Sequence, residues 1–269
     1  YSSLPVDRYS GWEFVRRAPV RLSSRSVAVL ASHSGTTEEV LLGLQLAESR
    51  GAKTVALTQP DTPLAASAET ALTYVSPAAN LSKLLLVYLI TTELLVQQAR
   101  EAIGTALREA LQTLPEALHT AKEAVAARSR ELAARYREVR GFYVVGTGLL
   151  AGLAYQFAAC NLMEMQWVHA EWLNAAEFRH GPLEIVQPGL PMIFLLGADE
   201  SRAEAERALA FSRRHGAEVI AFDLEEVPGI HPLLAPFGLH LPLQWFLWYL
   251  GVERQHPISR RRYMGVVPY

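Results

Sequence analysis

The sequence predicts an α/β protein with two strand–loop–helix units, each a parallel sheet flanked by helices, joined by a helical linker. Short β-branched runs alternate with helical stretches, the pattern of strands in parallel sheets covered on both faces. The alternation gives way to an Ala-, Glu- and Arg-rich region and restarts at Gly141. Two strands end in Gly-containing turns that lead into helices.

Residues 26–32 form the first strand signal, which stops at Ser-Gly-Thr-Thr and passes into a helical pattern over 38–50. Gly51 is a helix stop, 53–58 repeats the strand signal, and a long apolar helix follows from about Leu81. Residues 96–139 have helical periodicity on both sides of Pro115 and are expected to form connecting helices. In the second unit a strand over 142–145 meets the turn Gly146-Thr-Gly148 and a helix from about Leu149 to His169. Strands over 192–196 and 218–222 flank a helix over 203–215. The resulting division is a first unit over 1–95, a linker over 96–139 and a second unit over 140–269. Ligands in such sheets collect where strand ends meet helix N-termini, so those loops are the places to seek chemistry.

Composition narrows the function classes. With 25 basic and 27 acidic residues the formal net charge is −2, which offers no source for the counterion release that drives nucleic-acid binding. The single cysteine, Cys160, excludes an internal disulfide framework and a cysteine-rich zinc site, and fits a reducing cytoplasm. Three stretches are nearly free of charge: 84–92 is too short to span a bilayer, 141–163 is interrupted by Gly146, Gly148 and Gly152, and 227–252 carries four prolines. No membrane span is expected. The chain starts at Tyr1 with no basic-then-apolar leader, as a trimmed rather than a secreted chain would.

Three motifs could carry chemistry. In Ser32-His-Ser34-Gly35-Thr36-Thr37-Glu38, hydroxyls and a tight glycine turn precede a helix whose free N–H groups attract an anion. The loop reads equally as a phosphate cradle or as a helix cap with spare hydroxyls. Gly146-Thr-Gly148 would admit a ligand closely, and is also an ordinary way to pack a helix on a sheet. The third motif runs from Cys160 to Pro182. Glu164 lies between Met163 and Met165 on an apolar helix, where poor hydration would make its carboxylate a better base toward a carbon acid. His180 follows in a Gly-Pro-stopped loop, where an imidazole can exchange a proton near neutral pH. Taken singly, Glu164 is more readily a structural ion pair and His180 a loop histidine bonded to backbone. His169, Glu171 and His180 match no standard zinc spacing, so no metal and no bound cofactor are expected.

Together these residues resemble the sugar isomerase (SIS) family, in its tandem-unit form. Ser32-His-Ser-Gly-Thr-Thr-Glu is similar to the family's phosphate loop. The block from Glu164 through His169-Ala-Glu171 to Glu177-Phe-Arg-His180-Gly-Pro182 resembles the isomerase domain of glucosamine-6-phosphate synthase, with the same interval from Glu to His. Leu241-Pro-Leu-Gln244 and the tail over 260–269 resemble that domain's last helix and active-site tail. Leu-Met-Glu164-Met-Gln-Trp167 and Arg261-Arg-Tyr-Met264 are most similar to the fructosamine 6-phosphate deglycase branch.

The resemblance implies that Ser32, Ser34 and Thr37 hold a phosphate and that Gly146 and Gly148 border the substrate. It further implies that Glu164 shuttles a proton between sugar C1 and C2, and that His180 assists ring opening. The implied partner is a small phosphosugar, and the implied assembly a homodimer with shared sites, His180 reaching in from the neighbouring subunit. Val266 stands where the synthase tail has its Schiff-base lysine, which favours a substrate that arrives already aminated. An aldose–ketose phosphosugar isomerase, an amino-sugar phosphate deaminase and a non-catalytic phosphosugar sensor are the alternatives. Glu13-Phe14 aligns with the family's second strand, which leaves the first unit without its first strand, Gly-rich turn and helix.

Overall fold

The computed structural model describes residues 3–98 and 100–268; Ala99 of the expected linker and Tyr269 of the expected tail lie outside the described residues, as do residues 1 and 2. The chain divides into two compact units, the first ending at Arg108 and the second beginning at Glu109.

The first unit opens with α1 (Gly11–Arg17). The Ser10 N–H donates to the Glu13 carboxylate at 3.0 Å, half of a capping box that starts the helix. Glu13 and Phe14 are therefore helical, which corrects the strand assigned to them. The chain continues through β1 (Val27–Ala31), α2 (Glu38–Ser49), β2 (Lys53–Thr58), α3 (Pro63–Ser67), β3 (Thr70–Thr73) and α4 (Ala79–Gln97). The three strands form a parallel sheet in the order β1-β2-β3. Leu30, Leu44, Ala56 and Leu64 close its core. β3 and α3, at four and five residues, are too short for a periodic pattern to show in the sequence. α3 is set instead by Thr62, whose hydroxyl accepts the Ala65 N–H at 3.2 Å, and by Pro63 at its first turn.

Two expectations need correction here. The apolar stretch judged too short for a bilayer belongs to a helix of 19 residues, α4, with mean hydropathy 1.5, long and apolar enough to cross one by length and composition. Its flanks, Ala79 to Lys83 and Glu93 to Gln97, extend the helix beyond the charge-free run. The expected connecting helices on either side of Pro115 are one helix, α5 (Glu101–Tyr136), which runs through that proline. Leu111, Leu114, Ala121, Val125 and Ala133 are buried at near-heptad spacing along it, and this packing outweighs the one backbone bond that proline removes.

The second unit continues with β4 (Gly141–Gly146), α6 (Ala151–Gln156), α7 (Glu164–Gln166), β5 (His169–Asn174), β6 (Pro191–Leu196), α8 (Arg202–Arg214), β7 (Glu218–Asp223) and α9 (Ala235–Glu253). Its parallel sheet has the order β5-β4-β6-β7. Alternate strand residues feed two cores, as a period of two requires. Phe142, Val144, Ile193, Leu195, Ile220 and Phe222 join one cluster with α6 and α9. Val145, Met192, Phe194 and Leu196 join the other with Ala205, Ala208 and Leu209 of α8. The helix expected to reach His169 stops at Gln166. Trp167 takes a left-handed conformation, φ 55°, and His169 begins an edge strand.

Phe246 of α9 is fully buried and meets the rings of Phe142, Phe157 and Phe222 at centroid distances of 6.0–6.3 Å. Phe246→Ala is expected to destabilise the second unit by about 3–5 kcal/mol, read as a lower urea midpoint. His240, on the same helix, is pushed down to about 4 by burial. Because the unfolded chain binds that proton first, its contribution is complete above about 6.5 and is lost as pH falls toward 4. Urea midpoints over this range should fall with pH, and the slope should be shallower in His240→Gln.

Candidate active site

The loop after β1 is organised by its own hydroxyls. Ser32 continues the strand, its N–H donating to Leu57 O at 3.1 Å, and its buried Oγ lies 2.7 Å from Thr37 Oγ1 and accepts the Gly35 N–H at 3.1 Å. Ser34 Oγ accepts from the Thr36 N–H and hydroxyl at 3.3 and 2.9 Å, and both residues are exposed. Gly35 has φ 63°, and a Cβ there would collide with the Thr62 side chain. Thr37 is the N-cap of α2, yet its hydroxyl turns to Ser32 and makes no cap bond. The helix cap that a Ser/Thr loop suggests is therefore not made. The first-turn N–H groups receive no side-chain acceptor and remain suited to an anion.

The corresponding loop of the second unit, between β6 and α8, is closed by its own carboxylate. Asp199 Oδ1 accepts the Ser201 N–H at 2.8 Å as well as the Ser201 hydroxyl. Gly148, with φ 53°, lies against this loop, and a Cβ on it would meet the Ser201 side chain. A Cβ at Gly146 would fall 2.9 Å from both Ala154 Cβ and Leu150 O. Each glycine thus has a packing role of its own.

Glu164 occupies a corner of the second unit. α6 widens into a π-helical stretch, Phe157–Met163, and returns to α geometry for the three residues of α7 before Trp167 ends it. Such widened turns recur at functional sites because they re-aim the side chains that follow. The expected apolar enclosure of Glu164 is not found. Its side chain keeps 24% of its exposure, and Oε1 lies 2.9 Å from Arg261 Nη2 in the C-terminal tail.

Further contacts bind the tail to this corner. Arg262 lies over the Trp167 ring at 4.2 Å, the His256 ring meets Trp167 edge-on at 4.4 Å, and buried Gln166 donates to His256 O at 3.2 Å. Burial, then the charges of Arg260, Arg254 and Arg262, push the His256 imidazole below its ordinary value. A neutral ring suits a place surrounded by arginines. The sequence reading assigned none of these four side chains a role. Gln166, Trp167 and Arg262 nevertheless stand in the segments that carry the family resemblance.

His180 ends a 3₁₀ turn, Ala175–His180, whose start is capped by Asn174 accepting the Ala176 N–H at 3.1 Å. Its ring is exposed, and among the described residues no hydrogen bond or ion pair joins it to Glu164. The corner can do proton chemistry at Glu164. His180 is presented outward.

The SIS domain family model matches residues 4–98. Fructoselysine 6-phosphate deglycase of Escherichia coli is 38% identical over 272 residues, covering 100% of this chain and 80% of that protein. Fructosamine deglycase of Bacillus subtilis is 34% identical, covering 99% of this chain and 84% of its own length. A crystal structure from Salmonella typhimurium, provisionally named a phosphosugar isomerase, superposes with a TM-score of 0.90 at 30% identity, over 100% of this chain and 84% of that one.

Gly35→Ala would force a side chain into a left-handed backbone and against Thr62. The variant is expected to lose about 1–3 kcal/mol of stability in chemical denaturation and, with its loop displaced, to bind inorganic phosphate more weakly in calorimetry.

Proposed function

The chain belongs to the SIS-domain family, and from that membership we propose that it is a deglycase that cleaves a fructosamine 6-phosphate to glucose 6-phosphate and a free amine. The observation that carries this reading is identity of 34–38% to named deglycases across essentially the whole chain. The substrate class, a small phosphosugar, comes from the same relatives.

In this reading the loop of Ser32, Ser34 and Thr37 takes the phosphate. Its uncapped first-turn N–H groups and cluster of hydroxyls are what a phosphate monoester needs. The turn from Gly146 to Gly148, which carries no bulky side chain, borders the sugar. Glu164 removes a proton from C1 and returns one at C2. The C2 carbonyl becomes a hydroxyl and C1 becomes an imine carbon, which water hydrolyses to the aldose and the amine. Electrons and atoms balance with water alone, so the chemistry calls for no cofactor or metal. His180, exposed on the second unit, serves ring opening in a neighbouring subunit of a homodimer. The apolar side chains that α4 leaves exposed, among them Leu85, Val87, Leu89 and Leu94, support an assembly larger than one chain. A cytoplasmic location suits a phosphorylated substrate.

Purified protein incubated with fructoselysine 6-phosphate should release glucose 6-phosphate, measured by coupled dehydrogenase assay, and should turn over fructose 6-phosphate and glucosamine 6-phosphate far more slowly. Absence of turnover with every aminated phosphosugar would refute the assignment. Glu164→Gln should lower kcat at least roughly 100-fold, as expected for loss of a general base, while keeping phosphate-dependent binding.

A further inference from the structure

The C-terminal tail does more than lie against the second unit. Arg261 is itself held: Nη1 donates to Ile258 O at 2.7 Å and to Arg260 O at 3.1 Å. These two backbone acceptors fix the plane of the guanidinium, so that Nη2 is delivered to one oxygen of Glu164, Oε1, at 2.9 Å. Among the described residues no partner is found for Oε2. The two side chains are equally shielded, each keeping 24% of its exposure, which puts the pair between a solvent-screened surface bridge and a buried one. The turn that presents Arg261 is secured in its own right by Arg262 on Trp167 and by His256 between Trp167 and Gln166.

We infer that Arg261 is the positioning residue for the proton-transferring carboxylate, holding Glu164 Oε1 so that Oε2 faces the substrate carbon. The inference rests on the deglycase reading for what Glu164 does, and on geometry alone for what holds it. The Glu164 backbone is held in the last turn of its helix, which leaves the carboxylate rotamer as the freedom to be fixed, and near-attack geometry is lost with displacements of about 1 Å. A preorganised guanidinium supplies the constraint and the counter-charge together. Lysine at this position would keep the charge and lose the fork, because one ammonium cannot satisfy both tail carbonyls and the carboxylate in one plane.

The test uses the full chain with Arg261→Ala, Arg261→Lys and, as a control on the neighbouring exposed arginine, Arg260→Ala. Arg261→Ala should lower kcat roughly 10- to 100-fold with KM changed less than about threefold, Arg261→Lys should recover part of the loss, and added guanidinium ion should partly rescue the alanine variant. Arg260→Ala should match the parent. Labelling of Glu164 by a water-soluble carbodiimide and an amine, mapped by mass spectrometry, should rise in Arg261→Ala and not in Arg260→Ala. That readout needs no turnover, so it tests the contact even if the parent protein proves inactive on fructosamine phosphates, an outcome that would overturn the deglycase reading alone. The positioning role is overturned if Arg261→Ala leaves both kcat and labelling unchanged, if it raises kcat, or if guanidinium and lysine fail to rescue a folded variant.

Discussion

The contact between the C-terminal tail and the corner from Glu164 to Trp167 is the constraint on which the proposed chemistry of the second unit rests. A π-helical stretch leads into three α-helical residues, and a left-handed tryptophan then turns the chain into the edge strand β5. The tail meets it with an ion pair at Glu164, a cation over Trp167, an imidazole edge on the same ring, and a carbonyl for Gln166. These contacts add side-chain constraints to a corner whose backbone is already hydrogen-bonded, with the Trp167 N–H on Met163 O at 3.2 Å and the Val168 N–H on Leu162 O at 3.1 Å. They also place a permanent positive charge beside the carboxylate, which a base must balance while it is ionised.

The two units repeat a strand–loop–helix plan and use it differently. After β1, serine and threonine hydroxyls bond to one another, and the helix N-terminus is left without a side-chain cap. After β6, Asp199 turns back on Ser201 and fills its own loop with negative charge. A phosphate would meet free donors in the first loop and a carboxylate in the second. One fold thus leaves the helix N-terminus without a side-chain cap in one unit, where the phosphate is proposed to bind, and closes the corresponding loop in the other. Function on this scaffold follows from side chains in the loops, not from the sheet that carries them.

Much of this was legible in the sequence because it depends on local pattern. The strands β1, β2, β4, β6 and β7 and the helices α2 and α8 stand within a residue or two of where apolar runs, Gly51 and helical periodicity placed them. Pro115 and Glu13-Phe14 misled, since tertiary packing carries α5 through the proline and a Ser10–Glu13 cap makes α1 a helix. The strand at His169 could not be read, because an edge strand with exposed His169 and Glu171 has little apolar signal and the π-helical stretch before it breaks the 3.6-residue period. The partner of Glu164 was hidden for another reason. Arg261 lies almost a hundred residues away, and periodicity carries no information about such contacts.

The central claim is that Glu164 moves a proton between C1 and C2 of an aminated sugar phosphate. The most direct measurement gives the enzyme a fructosamine 6-phosphate bearing two deuterium atoms at C1 and reads the product by NMR. The account predicts glucose 6-phosphate with a single deuterium left at C1, the other having passed to C2 or been exchanged with water. Fructose 6-phosphate that retains both deuterium atoms at C1 would show that water displaces the amine at the carbon–nitrogen bond without the shuttle, and would contradict it.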